Sequence, residues 1–428
     1  MSTEPRSAFD VVAVQRRTVV VLVSGQILGG LGFGAALSMG ALLAASVSGS
    51  DEWSGFAATM TTLGAAAAAV PLARLAQSRG RRNSLAAGAG LAAIGSALVI
   101  VAAVLGVFPL LLLALACIGV GSAANLQARF AASDLATPTK RGRDLSIVVW
   151  ATTIGSVIGP NLVGVGALLA RMVGIPELAG PFLFAIVSQL LAVVLYLSAL
   201  RPDPLLVSLA NAASAAAEPG AVPASTHAHA GVGLRFAILA VALSHAVMVA
   251  VMAMTPVHLQ HHGASISVIG LTISLHIAGM YGLSPVFGIL SDRFGRVAVV
   301  FLGQGLFLAA LLVAALFSDD SFAVGVGLVL LGLGWSASTV AGSALVTELS
   351  PAIQRTRYQG ITDLLMSLAG AVGGALAGLV LALSGYAGLA LWCLVLVGVV
   401  VVAGVLVRGR LSGGARGRFS GRAPSTQL

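Results

Sequence analysis

Charge is scarce in this chain: Asp, Glu, Lys and Arg together make up 9% of 428 residues, against about a quarter in ordinary soluble domains. Scarcity on that scale excludes a soluble globular domain. Cysteine occurs twice, as Cys117 and Cys393 within apolar runs, which excludes a disulfide framework and any cysteine-based metal spacing. Lysine occurs once, as Lys140, against 22 Arg, and with abundant Ala and Gly this composition matches a GC-rich bacterial genome. No GxxxxGK[ST] loop is present, so direct ATP drive has no support. No nucleophile–base constellation is visible either, so an enzyme is not expected, and no cofactor is called for.

Apolar length is what the chain has instead. Hydrophobic residues make up 58% and the mean hydropathy is +1.02. Twelve runs each reach 18 or more residues, enough to cross a hydrocarbon core of about 30 Å. They cover 18–47, 53–77, 83–106, 109–133, 145–170 and 178–200, then 234–260, 264–290, 297–317, 321–348, 358–384 and 387–407. The expectation is an all-α membrane protein. The first run, behind Arg16 and Arg17, is too long for a secretory signal and reads as an uncleaved helix.

Orientation follows from the basic residues, which gather in short cytoplasmic loops. With the N-terminus inside, Arg79, Arg81, Arg82, Lys140, Arg141, Arg143, Arg201, Arg293, Arg296, Arg355, Arg357, Arg408 and Arg410 fall on the cytoplasmic side. Only Arg171 falls outside, whereas the outer loops carry Asp51, Glu52, Glu177, Asp319 and Asp320. Both termini are therefore expected in the cytoplasm of a cell with this protein in its inner (cytoplasmic) membrane. The net charge of +9 is topology plus a basic tail, and it needs no nucleic-acid partner.

Residues 202–233, with Pro202, Pro204, Pro219 and Pro223 among Ala and Ser, break the pattern and read as a linker. This divides the chain into a cytoplasmic segment 1–17, a six-helix bundle 18–201, the linker 202–233, a second bundle 234–407 and a basic tail 408–428. His227 and His229 lie in the linker without further ligands, so no metal site is expected there. The halves are repeats. ARLAQSRGRR at residues 73–82 is a degenerate copy of GILSDRFGRV at 288–297, and DLATPTKRGRDLS from Asp134 matches ELSPAIQRTRYQG from Glu348 at nearly the same offset.

The charged hairpin GILSDRFGRV between spans eight and nine, with its weaker copy between spans two and three, closely resembles the signature loop of the major facilitator superfamily of secondary transporters. The resemblance extends over essentially the whole chain. It implies two pseudo-symmetric six-helix bundles working by alternating access. It also implies a cytoplasmic gate in which Asp292 faces the start of span five near Arg143, while Arg293 or Arg296 neutralises Glu348, with Asp134 and Arg357 at the repeat-related positions. A carboxylate gains there from a helix N-terminus and a guanidinium. The copy departs from the pattern, with Gln77 in place of the aspartate and Ala73 in place of the leading glycine. One of the two latches is therefore expected to be weaker.

Small residues let helices approach in lipid. Gly155, Gly159 and Pro160 in span five and Gly373 and Gly378 in span eleven are the expected packing positions, and the GxxxGP of 155–160 resembles the superfamily's antiporter motif. Counting at about 1.5 Å per residue from the cytoplasmic charges places Gln26, Asn125, His245 and Ser338 roughly 14–15 Å deep. They sit on spans one, four, seven and ten, which the resemblance implies line the cavity. Ser122 and Arg129 extend the Asn125 face of span four, and Trp335 and Tyr281 are candidate aromatic walls.

Asp363 is the one carboxylate clearly inside an expected span, Glu348 standing at the very end of its own. Burial disfavours the charged carboxylate and a nearby cation favours it, so alternating surroundings can load and release a proton. Asp363 is the first candidate for proton coupling, with His245 the second and a static pair with Arg129 the competing reading. The sequence thus points to a monomeric transporter in the lipid bilayer, exchanging protons for a small amphipathic compound in efflux. Uptake of a sugar, organic acid or other nutrient is the alternative, and a non-transporting sensor, scramblase or assembly partner is the reading from another class.

Overall fold

The structure, a computed structural model, describes residues 11–50, 53, 55–217 and 230–416; the linker histidines His227 and His229 and the tail beyond Arg416 lie outside them. Fourteen α-helices follow one another without a strand among the described residues. In the first half these are α1 (Val11–Ser48), α2 (Gly55–Arg79), α3 (Arg81–Leu105), α4 (Phe108–Ala131), α5 (Arg141–Asn161), α6 (Val163–Val173) and α7 (Pro181–Ala199). After α8 (Pro204–Ala217) come α9 (Ala230–His261), α10 (Ile266–Tyr281), α11 (Ser284–Phe294), α12 (Arg296–Leu316), α13 (Ser321–Leu349) and α14 (Arg355–Arg416).

Among the described residues, ten apolar stretches are long enough to cross a membrane. The last of these, 352–407, turns back within α14 at Gly385, whose φ of 70° is a left-handed conformation open to glycine, and so crosses twice. The twelfth crossing is shared by α5 and α6, which break at Leu162 just after Pro160. Span eight is likewise divided, into α10 and α11, where Pro285 cannot donate to the helix ladder. The chain is thus an all-α, multi-pass membrane protein with twelve crossings in two six-helix bundles.

Within the segment read as linker, Pro204–Ala217 is helical: Asp203 Oδ1 accepts from the Leu205 backbone N–H at 3.1 Å, and its Oδ2 accepts from the Arg82 N–H at 2.8 Å, fixing α8 to the start of α3. In each bundle the first helix packs on the fifth through small residues. A Cβ added at Gly155 of α5 would lie 2.5 Å from the Ile27 carbonyl oxygen of α1, and one at Gly373 of α14 would lie 2.8 Å from the Ala246 oxygen of α9. Of Gly159 and Pro160 only the helical backbone is described. Between the bundles, α11 packs on α5 and α14 on α2.

Candidate functional site

At the end that carries the basic hairpins the two bundles are bonded to each other. Asp292, at the C-terminal turn of α11, accepts backbone N–H bonds from Gly142 (2.9 Å) and Arg143 (2.8 Å) in the first turn of α5, where unpaired donors favour a carboxylate. Arg296 grips the same carboxylate at 2.9 Å, pairs with Glu348 at 3.2 Å and donates to the Pro138 carbonyl of the other bundle at 2.6 Å. Arg293 and Arg357 are exposed and join no ion pair among the described residues; the Arg293 guanidinium lies over the Phe294 ring. The Arg143 guanidinium turns back onto Asp144.

The N-terminal copy occupies the repeat-related place with different chemistry. Gln77 donates to the Ile353 carbonyl at 3.0 Å, a neutral bond in place of a charged cap. Arg81 takes the position of Arg296 and forms a two-pronged, fully buried pair with Asp134, Nε to Oδ2 at 2.8 Å and Nη2 to Oδ1 at 3.2 Å. The same Nη2 crosses to Gln359 Oε1 of α14 at 2.5 Å. Arg81 thus ties the two bundles together, a contact the sequence disguised as one more loop arginine.

Deeper in, Arg129 Nη2 meets Asp363 Oδ1 at 2.6 Å across the boundary between the bundles, both side chains almost wholly buried. Above this pair opens a cavity of about 210 Å³. Gln26, Ser122, Asn125, Arg129 and His245 all line it, together with Trp335 and Tyr281. Ser338 does not. It is turned to α12, where Gln304 Nε2 donates to it and to Ser244, each at 3.0 Å, and Thr339 takes its place on the wall.

The cavity chemistry is amphipathic. Trp335 Nε1 donates to His245 Nδ1 at 2.9 Å, so that nitrogen carries a lone pair and not a proton. Tyr281 stands edge-on to Trp335, centroids 5.5 Å apart. Gln26 Nε2 donates to Thr152 Oγ1, but Gln26 Oε1, Ser122 Oγ and Arg129 Nε are buried without a protein partner. Buried polar atoms left unpaired cost about 1–3 kcal/mol each, and a solute that satisfied them would recover that energy. Missed by sequence reasoning were Thr61, Thr62, Thr152 and Ser367, common residues whose placement on the wall depends on helix rotation. Among the described residues no cluster of three His, Cys, Asp or Glu is arranged to hold a metal ion.

Residues 22–262 and 236–425 match the family model of the Major Facilitator Superfamily. The chain belongs to the major facilitator superfamily. This secondary transporter is 39% identical over 382 residues to the "Uncharacterized MFS-type transporter YdeG" of Bacillus subtilis (strain 168), covering 89% of each chain. It is 30% identical over 369 residues to the "Riboflavin transporter RfnT" of Brucella anthropi, covering 82% of this chain and 85% of that one. A crystal structure of a bacterial homologue of the iron transporter ferroportin, outward-facing, matches at a TM-score of 0.70 and 16% identity, over 92% of this chain and 99% of that one. That likeness concerns the fold. The transporter sits in a lipid bilayer, handles small molecules and is not an enzyme.

Proposed function

We propose that this transporter exports a small amphipathic compound in exchange for protons across the bacterial inner membrane, with both termini in the cytoplasm. The observation that carries the reading is the buried Arg129–Asp363 pair directly beneath an aromatic- and amide-lined cavity. The pair joins the two bundles, so opening the cytoplasmic side must part it. A lone carboxylate in a low-dielectric setting takes up a proton more readily than one held by a guanidinium. Asp363 therefore binds a proton when the pair separates and gives it up when the pair re-forms. His245, engaged by Trp335, is a solute-facing group and a secondary proton site.

Gln26, Ser122, Asn125 and Arg129 supply the hydrogen-bonding side of the cavity, and Trp335 and Tyr281 the ring-stacking side. That combination suits a compound with a planar ring and polar edges. Riboflavin, the solute in one relative's name, has this chemistry, and it favours a second reading in which the solute is a vitamin-like nutrient taken up with protons. On either reading Asp292, Arg296 and Glu348 close the cytoplasmic side together with Arg143 of α5. Arg293 and Arg357, outside the ion pairs, serve orientation.

The test is accumulation of ring-bearing fluorescent compounds, riboflavin among them, in efflux-deficient cells expressing the wild type or Asp363→Asn. Export predicts lower accumulation with wild type only, abolished by a protonophore. Higher accumulation with wild type would establish uptake instead. Protonophore-sensitive flux that survives in Asp363→Asn would remove the carboxylate from the mechanism.

A further inference from the structure

A second concave site lies on the membrane-facing side of the first bundle, away from the central cavity. It is a groove of about 300 Å³ between the start of α1 and the start of α5. Three cations rim it: Arg16 from α1, Lys140 just before α5 and Arg143 in the first turn of α5. One carboxylate, Asp144, is present, and it is already engaged by Gln15 Nε2 at 2.9 Å and by Arg143 at 2.9 Å. Among the described residues the side chains of Arg16 and Lys140 form no ion pair, and both are exposed. The rim therefore keeps a surplus of positive charge.

One helical turn further into the membrane the same groove is apolar, with Val19 and Val20 on α1 and Ile147 on α5, and Val11, Val12 and Leu135 add aliphatic wall on the other side of the cations. Charge at one level and aliphatic surface directly below it match a lipid with an anionic headgroup, phosphate against the guanidinium and ammonium groups, acyl chains against the valines. A free phosphate ion would use only the upper half. The repeat-related groove between α9 and α14 is larger, about 700 Å³, yet it offers the single cation Arg235 above an otherwise aliphatic wall. An ordinary acyl chain suits that groove whatever its headgroup. We propose that the α1–α5 groove is a selective binding site for an anionic phospholipid of the leaflet at the basic end of the transporter.

The test is native mass spectrometry of the purified full chain in neutral detergent, titrated with dioleoyl phosphatidylglycerol or with dioleoyl phosphatidylcholine. Wild type is expected to retain phosphatidylglycerol at lower concentration than phosphatidylcholine. Arg16→Gln/Lys140→Gln should weaken phosphatidylglycerol retention roughly tenfold, because each surface cation near the membrane contributes on that scale, and leave phosphatidylcholine unchanged. The charge-keeping Arg16→Lys/Lys140→Arg variant should restore retention, which separates loss of charge from loss of fold. Equal phosphatidylglycerol binding by wild type and the neutral variant would overturn the proposal. So would displacement of the lipid by tens of millimolar inorganic phosphate, the mark of a free-anion site.

Discussion

Arg129 and Asp363, 234 residues apart in sequence, hold each other at 2.6 Å across the plane where the two bundles separate. Each side chain keeps one polar atom, Arg129 Nε and Asp363 Oδ2, buried without a protein partner. Breaking such a pair by removing one charge leaves the other stranded in a medium that solvates it poorly, a loss of about 3–5 kcal/mol.

Asp363→Asn is therefore expected to lower thermal stability in detergent and to abolish proton uptake coupled to solute in proteoliposomes. The double variant Arg129→Gln/Asp363→Asn, which strands no charge, should regain most of the stability and none of the coupling. A double variant that restored coupled transport would show that the pair is only structural.

The two latches should fail unequally. Asp292→Asn removes a charged cap from α5 and a partner from Arg296, bonds worth about 1.5–3 kcal/mol when one member is charged. Gln77→Ala removes one exposed amide–carbonyl bond, about 0.5–1.5 kcal/mol. A cysteine placed at buried Ser133, in a background lacking Cys117 and Cys393, should become about tenfold more reactive to maleimide with Asp292→Asn and less than half as sensitive to Gln77→Ala. Equal reactivity in the two variants would contradict the asymmetry.

Trp335→Phe keeps a ring on the cavity wall but removes the donor to His245 Nδ1. Freed of that bond, His245 can turn within the cavity. Solute affinity should fall a few-fold, on the scale of one hydrogen bond. Equilibrium dialysis is the measurement.

Gly155→Ala and Gly373→Ala each push a methyl group into a carbonyl of the neighbouring helix. Overpacking of this kind costs about 1–3 kcal/mol. Both variants should show reduced melting temperature and slower transport, with solute affinity unchanged, because neither residue lines the cavity.

The sequence made the fold legible because membrane spans announce themselves by length, and because Asp292 and Arg296 stand in a charged hairpin whose degenerate copy at 73–82 marks the repeat. Depth was legible too: Gln26, Asn125 and His245 were placed by counting residues, and all three reach the cavity. Helix rotation was not. Ser338 and Thr339 lie at nearly the same depth, but successive residues on a helix point about 100° apart, and only the second lines the cavity. Nor does counting reveal partners between bundles, which is why Arg129 had several possible roles and why Arg81 passed for a topological charge. The division of span five at Leu162 and the helix inside the linker escaped because prolines mark interruptions without saying whether a helix resumes.

Glu348 is 45% exposed at its side chain while Asp134, its counterpart in the other repeat, is sealed. Dissolved ions screen charges they can approach, over a length of about 8 Å at physiological ionic strength, and leave buried pairs nearly untouched. The Arg296–Glu348 pair is therefore open to screening by salt, and the Arg81–Asp134 pair is not. Two repeats of one design thus hold equivalent positions with one ion pair open to the surrounding electrolyte and one insulated from it.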